Sequence, residues 1–554
     1  MRLIRWLGIV VGGALAGLVG AAAMLLVMAA ERTWLGISPP PEALPDRIAP
    51  TLDIATFFSL FGKYGGYNGL KKFGVSTGIE ALVAAGLVVG IVYAVIVEKR
   101  RARAGGWRNG FSLTGLRFVG VVAAAVWIAT LVALWPVLGA NFRGLPPSSA
   151  RVGSALGLLS AYAAYAVGLV LTYRFIIARP APSKRPTPAP ESEPAPVAPQ
   201  TSAPAAEGNL VGRRAVVAAA AGAALAVPTV ALVQRLYDRA VFPYDGLTYS
   251  GPGVQPITPN DKFYTVTKNV VDPDVARSAW RLEIGGLVAT PKQYGFADLT
   301  ALPAVAQETT LMCISNRIGS GLFSNAVWKG VPLRELLGAS RPGAGAVEVL
   351  LHAADGYTDT FAFDKAMEPT TLVVYQMNGQ PLPQRHGYPV RVIVPGLYGE
   401  KNVKWVTGID VIDHDGKGFY EQQGWGPNFV VPTRSDFFAP KIDAPRSGFQ
   451  FHEPFRAGQT AQIRGRAFAG DRGVRAVEVS ADDGETWRPA RIDYPGTHLT
   501  WAFWTFSWRP TEPGTYHLVS RATDGTGAVQ PPDRRGIVPQ GAAGYQRVLA
   551  RVDA

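Results

Sequence analysis

Apolar residues crowd the first 233 positions in five long runs, and beyond them the chain alternates in short steps. The runs cover about residues 7–30, 77–97, 116–139, 155–177 and 215–233. Each is close to the roughly 20 residues that a helix needs to cross a hydrocarbon core, so the pattern predicts membrane helices. Between 179 and 210 the chain is mostly Pro, Ala, Ser and Glu with no apolar period, which predicts a semi-extended linker. From Tyr244 onward short β-type runs and turns dominate. Trp280-Arg-Leu-Glu-Ile-Gly-Gly286 reads as a half-buried strand, and Val390-Arg-Val-Ile-Val394 and Lys404-Trp-Val-Thr-Gly-Ile-Asp-Val-Ile412 read as buried strands. Leu333-Arg-Glu-Leu-Leu337 reads as a short helix, making this stretch α+β. The last hundred residues alternate more evenly. Arg475-Ala-Val-Glu-Val-Ser480 and Tyr516-His-Leu-Val-Ser-Arg-Ala522, with the turn at Asp482-Asp-Gly-Glu485, predict an all-β immunoglobulin-like sandwich.

Charge then orients the helices. The chain carries 54 basic and 41 acidic residues, a net charge of +13. Much of the excess flanks the apolar runs, so it sets topology and implies no nucleic-acid partner. Arg2 and Arg5 precede the first run; Lys99, Arg100, Arg101, Arg103 and Arg108 lie between the second and third; Arg174, Arg179, Lys184 and Arg185 follow the fourth. Counted from an inside N-terminus, all three clusters fall in the cytoplasm, and everything after Tyr237 falls outside it. Arg213-Arg214 before the fifth run carries two readings: a plain anchor, or a twin-arginine signal that exports an already folded domain. The predicted domains are therefore a four-helix membrane region (1–178), the linker (179–210), a fifth helix (211–236), an α+β catalytic domain (237–440) and the sandwich (441–554).

Two groups of residues carry candidate chemistry. Cys313 is the only cysteine, so it forms no intrachain disulfide and no multi-thiolate metal site. It ends a short apolar run and opens a Gly/Ser/Asn-rich turn, where it serves either as a nucleophile or as one soft ligand to a metal held mostly by something else. The second group is His386-Gly-Tyr-Pro-Val-Arg391 followed by Gly399-Glu-Lys-Asn-Val-Lys-Trp405, where His, Arg, Lys and backbone amides suit a phosphate. None of the six histidines falls in an apolar run, so no haem is expected in the helices.

These segments resemble a known family. Thr310-Leu-Met-Cys-Ile-Ser-Asn-Arg317, Trp328-Lys-Gly-Val-Pro-Leu333, Asn378-Gly-Gln-Pro-Leu-Pro383, His386-Gly-Tyr-Pro-Val-Arg391 and Asn402-Val-Lys-Trp405 are similar to motifs of the sulfite oxidase family of molybdenum enzymes. Val477-Glu-Val-Ser480 with Gly484-Glu-Thr-Trp487 resembles that family's dimerisation domain, implying a homodimer. The resemblance implies Mo-molybdopterin, with Cys313 as the protein's ligand to the metal. It further implies pterin contacts from Asn260, Tyr264, Asp355, His386, Arg391, Asn402, Val403 and Lys404.

The match also breaks at informative places. Ile318 and Gly416 stand where the family has an anion-binding arginine and a tyrosine, and on the early strand Lys268 is the only cation. Losing such donors weakens binding of a doubly charged oxyanion by about 1.5–3 kcal/mol each. The reading is thus a membrane-anchored enzyme moving an oxygen atom and two electrons at the outer face, on a sulfoxide or N-oxide rather than sulfite, with a separate electron carrier. A sulfite dehydrogenase and a non-catalytic surface scaffold are the alternatives.

Overall fold

A computed structural model describes residues 2–64, 67–103, 113–140, 142–177, 210–238, 249–268, 271–444 and 448–554. Apart from Leu210, the predicted linker lies outside them. The chain divides into two units: Met1–Glu42 with Val75–Trp135 and Ala155–Asp238, and Ala43–Gly74 with Pro136–Ser154 and Arg239–Ala554.

The first unit is helical. Its long helices are Arg2–Leu35, Tyr67–Arg103, Leu113–Leu134, Pro147–Ile177 and Leu210–Asp238, some of whose ends reach into the second unit's stretches. All five are long and apolar enough to cross a bilayer. The third stops five residues before the predicted 139, because Pro136 disfavours a helical Trp135 and removes a backbone donor. The first runs on to Leu35, where Gly36 takes a left-handed φ of 75° and ends it. Gly17 and Gly86 let two helices touch through their backbones: a side chain on Gly17 would collide with the Gly86 carbonyl.

The second unit begins with two short helices that the hydropathy pattern did not predict, Pro40–Ile48 and Ile54–Lys63. A five-stranded sheet then places Arg281–Gly286 parallel to Val406–Ile412, with Glu348–Ala353 antiparallel on the far side. Leu282, Ile284, Val349, Leu351, Ile409 and Val411 alternate into one core with Trp280. A second five-stranded sheet runs Val305–Met312, Phe323–Pro332, Leu372–Met377, with Arg391–Ile393 on the last of these. The C-terminal part is all β, in sheets of four and seven strands that share a core of Ile463, Val477, Val479, Trp504, Leu518 and Val548. A third core joins it to the second sheet through Met312, Ile314, Phe323, Phe468 and Trp501.

Candidate active site

Cys313 leaves the strand Val305–Met312 at a turn that is pinned on both sides. Its N–H donates to the Leu322 carbonyl at 3.0 Å, and its own carbonyl accepts from the Asn316 N–H at 2.9 Å. The Asn316 side chain accepts the Leu322 N–H at 3.0 Å, and Arg434 of the C-terminal region reaches the Met312 sulfur at 3.3 Å. So fixed, the thiol lines a cavity of about 860 Å³, mouth included, together with Tyr264, Asp355, His386, Arg391, Asn402, Val403 and Lys404. Tyr264 and Lys404, 140 positions apart (404 minus 264), thus share one wall. Asn260 does not line the cavity; its side chain joins Asn378 at 2.8 Å, while its carbonyl accepts from His386 Nε2 at 2.9 Å.

The basic side of the cavity is built by two loops. His386 closes the turn Gln384–His386 beneath the strand Arg391–Ile393, and burial pushes its pKa down to about 3, so the ring is neutral. Its Nε2 proton is committed to Asn260, leaving Nδ1 toward other groups. Arg391 is buried against the Trp328 ring, 5.1 Å from its centroid, and donates to the carbonyls of His386 (3.1 Å) and Asn402 (2.8 Å). Its Nε has no partner among the described residues. Lys404 donates to the carbonyls of Val266 (3.0 Å) and Arg385 (3.2 Å). Trp405 beside it holds a left-handed φ of 52°, a strained conformation kept by the bond from its indole to the Gln384 carbonyl at 2.9 Å.

Charge is unevenly compensated around this wall. Arg385 faces Asp272 at 3.6 Å and Lys268 faces Asp46 at 2.8 Å. Among the described residues no carboxylate lies within ion-pair distance of Arg391 or Lys404, whose protonated forms are disfavoured by burial, to pKa values of about 10 and about 8. A buried guanidinium with a spare N–H beside an unpaired ammonium is costly unless an anion completes it. That fits an anionic organic group such as a phosphate-bearing pterin, with Cys313 supplying a soft ligand across the same cavity. Asn402 contributes shape rather than charge: its side chain is spent on the Val394 N–H at 2.7 Å and the Tyr398 carbonyl at 3.0 Å.

Sequence reasoning missed one wall residue with chemistry. Glu400 opens to the cavity, and among the described residues neither carboxylate oxygen accepts a hydrogen bond of normal geometry, although the Ile314 amide lies near. Burial, and after it the Asp359 carboxylate, pushes its pKa up to about 8. The available signal was an acid set between Gly399 and Lys401 inside an otherwise basic motif. Tyr264, stacked 5.5 Å from Phe263, has its hydroxyl against Gly399, and burial holds its pKa well above the usual value.

Comparison with known proteins gives the family. The family model described as the oxidoreductase molybdopterin binding domain matches residues 268–420, which take in Cys313, Asp355, His386, Arg391 and Lys404. The model for the Mo-co oxidoreductase dimerisation domain matches residues 450–539. These matches make the chain a molybdenum-dependent oxidoreductase with Mo-molybdopterin as its cofactor. Sulfite oxidase of Gallus gallus is 30% identical over 314 residues, which are 50% of this chain and 68% of that one. NADH nitrate reductase of Solanum lycopersicum is 29% identical, over 50% of this chain and 36% of its own length, so the match spans about a third of the plant enzyme. Among solved structures, the sulfane dehydrogenase SoxCD of Paracoccus pantotrophus aligns over 55% of this chain and 85% of its own, with 22% identity and a TM-score of 0.46. The chain belongs to the sulfite oxidase family of molybdenum enzymes.

Proposed function

We propose that this protein is a membrane-anchored oxidoreductase that removes an oxygen atom from a neutral sulfoxide or N-oxide at the extracytoplasmic face. The carrying observation is where the cavity's uncompensated charge lies. Arg391 and Lys404 flank His386, on the side assigned here to the pterin, while Ile318 and Gly416 lie off the cavity lining. Once the cofactor has used those two cations, little remains to hold a doubly charged oxyanion.

In this reading Cys313 binds the metal, His386, Arg391 and Lys404 hold the phosphate, and Tyr264, Asp355, Asn402 and Val403 shape the pterin slot. Asn260 acts through His386. Bound there, the cofactor supplies oxygen-atom transfer and a two-electron redox couple. Reduction of a sulfoxide takes up two electrons and two protons and releases a sulfide and water. A separate carrier brings the electrons, and Glu400, neutral at pH 7, holds a proton facing the cavity.

Three further assignments go with it. The immunoglobulin-like sandwich of 441–554 pairs two copies of the chain, in keeping with the dimerisation-domain match. The apolar helices 1–178 and 211–236 anchor it across the linker 179–210, and 237–440 is the catalytic domain. The outward orientation draws support from the division of the chain. The stretches that the charge pattern puts outside, 43–74 and 136–154, join the catalytic unit, whereas the basic 98–103 does not.

The test is a dye-linked screen of purified full-length protein, made in a host competent for the cofactor, with metal analysis alongside. Stoichiometric molybdenum and reduced-dye turnover with sulfoxides or N-oxides are expected. Sulfite oxidation outrunning every neutral acceptor would overturn the reading.

A further inference from the structure

One piece of chain from far outside the catalytic motifs braces a residue of the cavity wall. Lys268 lines the cavity, and its ammonium lies 2.8 Å from Asp46 on the short helix Pro40–Ile48, between the first two apolar helices. The lysine side chain is 3% exposed and the aspartate 19%. The contact is not isolated, because the same stretch is seated on the catalytic unit at two more points. Gln423 donates to the Ala49 carbonyl at 3.1 Å, and Phe58 packs on the cavity residue Trp425 with ring centroids 6.2 Å apart.

The pairing decides what Lys268 can do. A buried ammonium with no counter-charge is the strongest anion-binding group a cavity of this kind can hold. With Asp46 on it, the pair is neutral, and the Asp355 carboxylate lies on the same side of the cavity. Among the described residues on that side, an entering divalent oxyanion then meets no cation without a counter-charge, whereas a neutral S=O or N-oxide oxygen loses nothing. We infer that Asp46 is a specificity-determining positioning residue, which withdraws Lys268 from oxyanion binding and so turns the cavity toward neutral oxygen donors. The inference deepens the proposed function and rests on its assignment of the cavity. It also gives the stretch between the first two helices a task beyond anchoring.

The experiment measures sulfate, an oxyanion that is not turned over, binding to the full-length resting holoenzyme by calorimetry, so its outcome does not depend on finding the right substrate. With the Asp46 charge removed in Asp46→Asn, the protein should bind sulfate at least about ten-fold more tightly, the smaller end of a charged hydrogen bond. Asp46→Glu should restore the weak binding, and Asp46→Asn with Lys268→Gln should abolish the gain. With a sulfoxide as substrate, sulfate should raise KM and leave kcat alone in Asp46→Asn, a split that mere loosening of the helix would not give. Lys268→Gln alone keeps the test decisive if Asp46→Asn fails to fold: it should leave sulfate affinity as weak as in the parent. A folded Asp46→Asn protein that binds sulfate no better, or a several-fold loss in Lys268→Gln, overturns the inference. Failure of every neutral acceptor in the dye screen would count against the proposed function and leave the sulfate result standing.

Discussion

Cys313 Sγ lies 3.1 Å from the hydroxyl of Ser315, two residues along the same turn. A hydroxyl that donates to a ligating thiolate withdraws electron density from the metal and raises its potential. Ser315→Ala should therefore lower the molybdenum potential by tens of millivolts, read by EPR-monitored titration, with metal content intact. Cys313→Ser should cut turnover by roughly a thousand-fold or more, as loss of a direct ligand does. Full activity in Cys313→Ser would remove the ligand assignment.

The two uncompensated cations predict a pH dependence of anion binding. Without an anion the Lys404 pKa is held down to about 8 by burial, and a bound phosphate favours the charged form. Affinity of the cofactor-free protein for sulfate, a probe whose own charge is constant here, should thus be flat from about pH 5 to pH 8. It should fall above that by as much as about ten-fold per unit. Lys404→Met should bind weakly at every pH tested and lose the break.

Lys401 sits in a buried network, 2.7 Å from Asp359 and 3.1 Å from Glu421, with its ammonium 3.8 Å from the Phe429 ring centroid. Lysine and Asp359 are each almost wholly out of solvent, at 3% and 2% exposure. Removing one partner leaves a buried charge alone, at a cost of about 3–5 kcal/mol. Lys401→Met should therefore lower the unfolding midpoint by several degrees, and Lys401→Met with Asp359→Asn should recover part of it. Equal midpoints for the parent and the single variant would contradict this account.

Local signals were legible in the sequence and distant ones were not. The strands Arg281–Gly286 and Val474–Ser480 follow from alternation, because one face of each is the more buried, and Val406–Ile412 follows from its β-branched, largely buried run. Cys313, His386, Arg391 and Lys404 stand in short motifs whose residue types imply their chemistry, and the cavity brings them together. The helix Ile54–Lys63 was hidden because it is too short to read as a membrane span, although Ile54 and Phe58 are the residues it packs inward. Asp46 had no sequence signal at all: its partner lies 222 positions away (268 minus 46), and only the fold joins them. Glu400 was visible as a residue but not as a chemical group, since its behaviour comes from burial and from the Asp359 charge.

Glu400 offers the last test, and its sign is opposite to that of an ordinary carboxylate. Its ordinary value is 4.5, and in the folded chain it rises to about 8, because burial disfavours the charged form. Folding therefore favours the protonated acid. Its stability contribution is complete below pH 4.5 and is lost as pH climbs to about 8, at a slope of roughly 1.4 kcal/mol per unit at most. Glu400→Gln carries no charge at any pH and escapes this loss. The variant's unfolding midpoint should match the parent's near pH 4.5, pull ahead steadily, and keep a constant lead above pH 8. A lead that does not change with pH would mean that the carboxyl ionises freely in the folded protein, and with it would go the proton that Glu400 is proposed to hold for the product water.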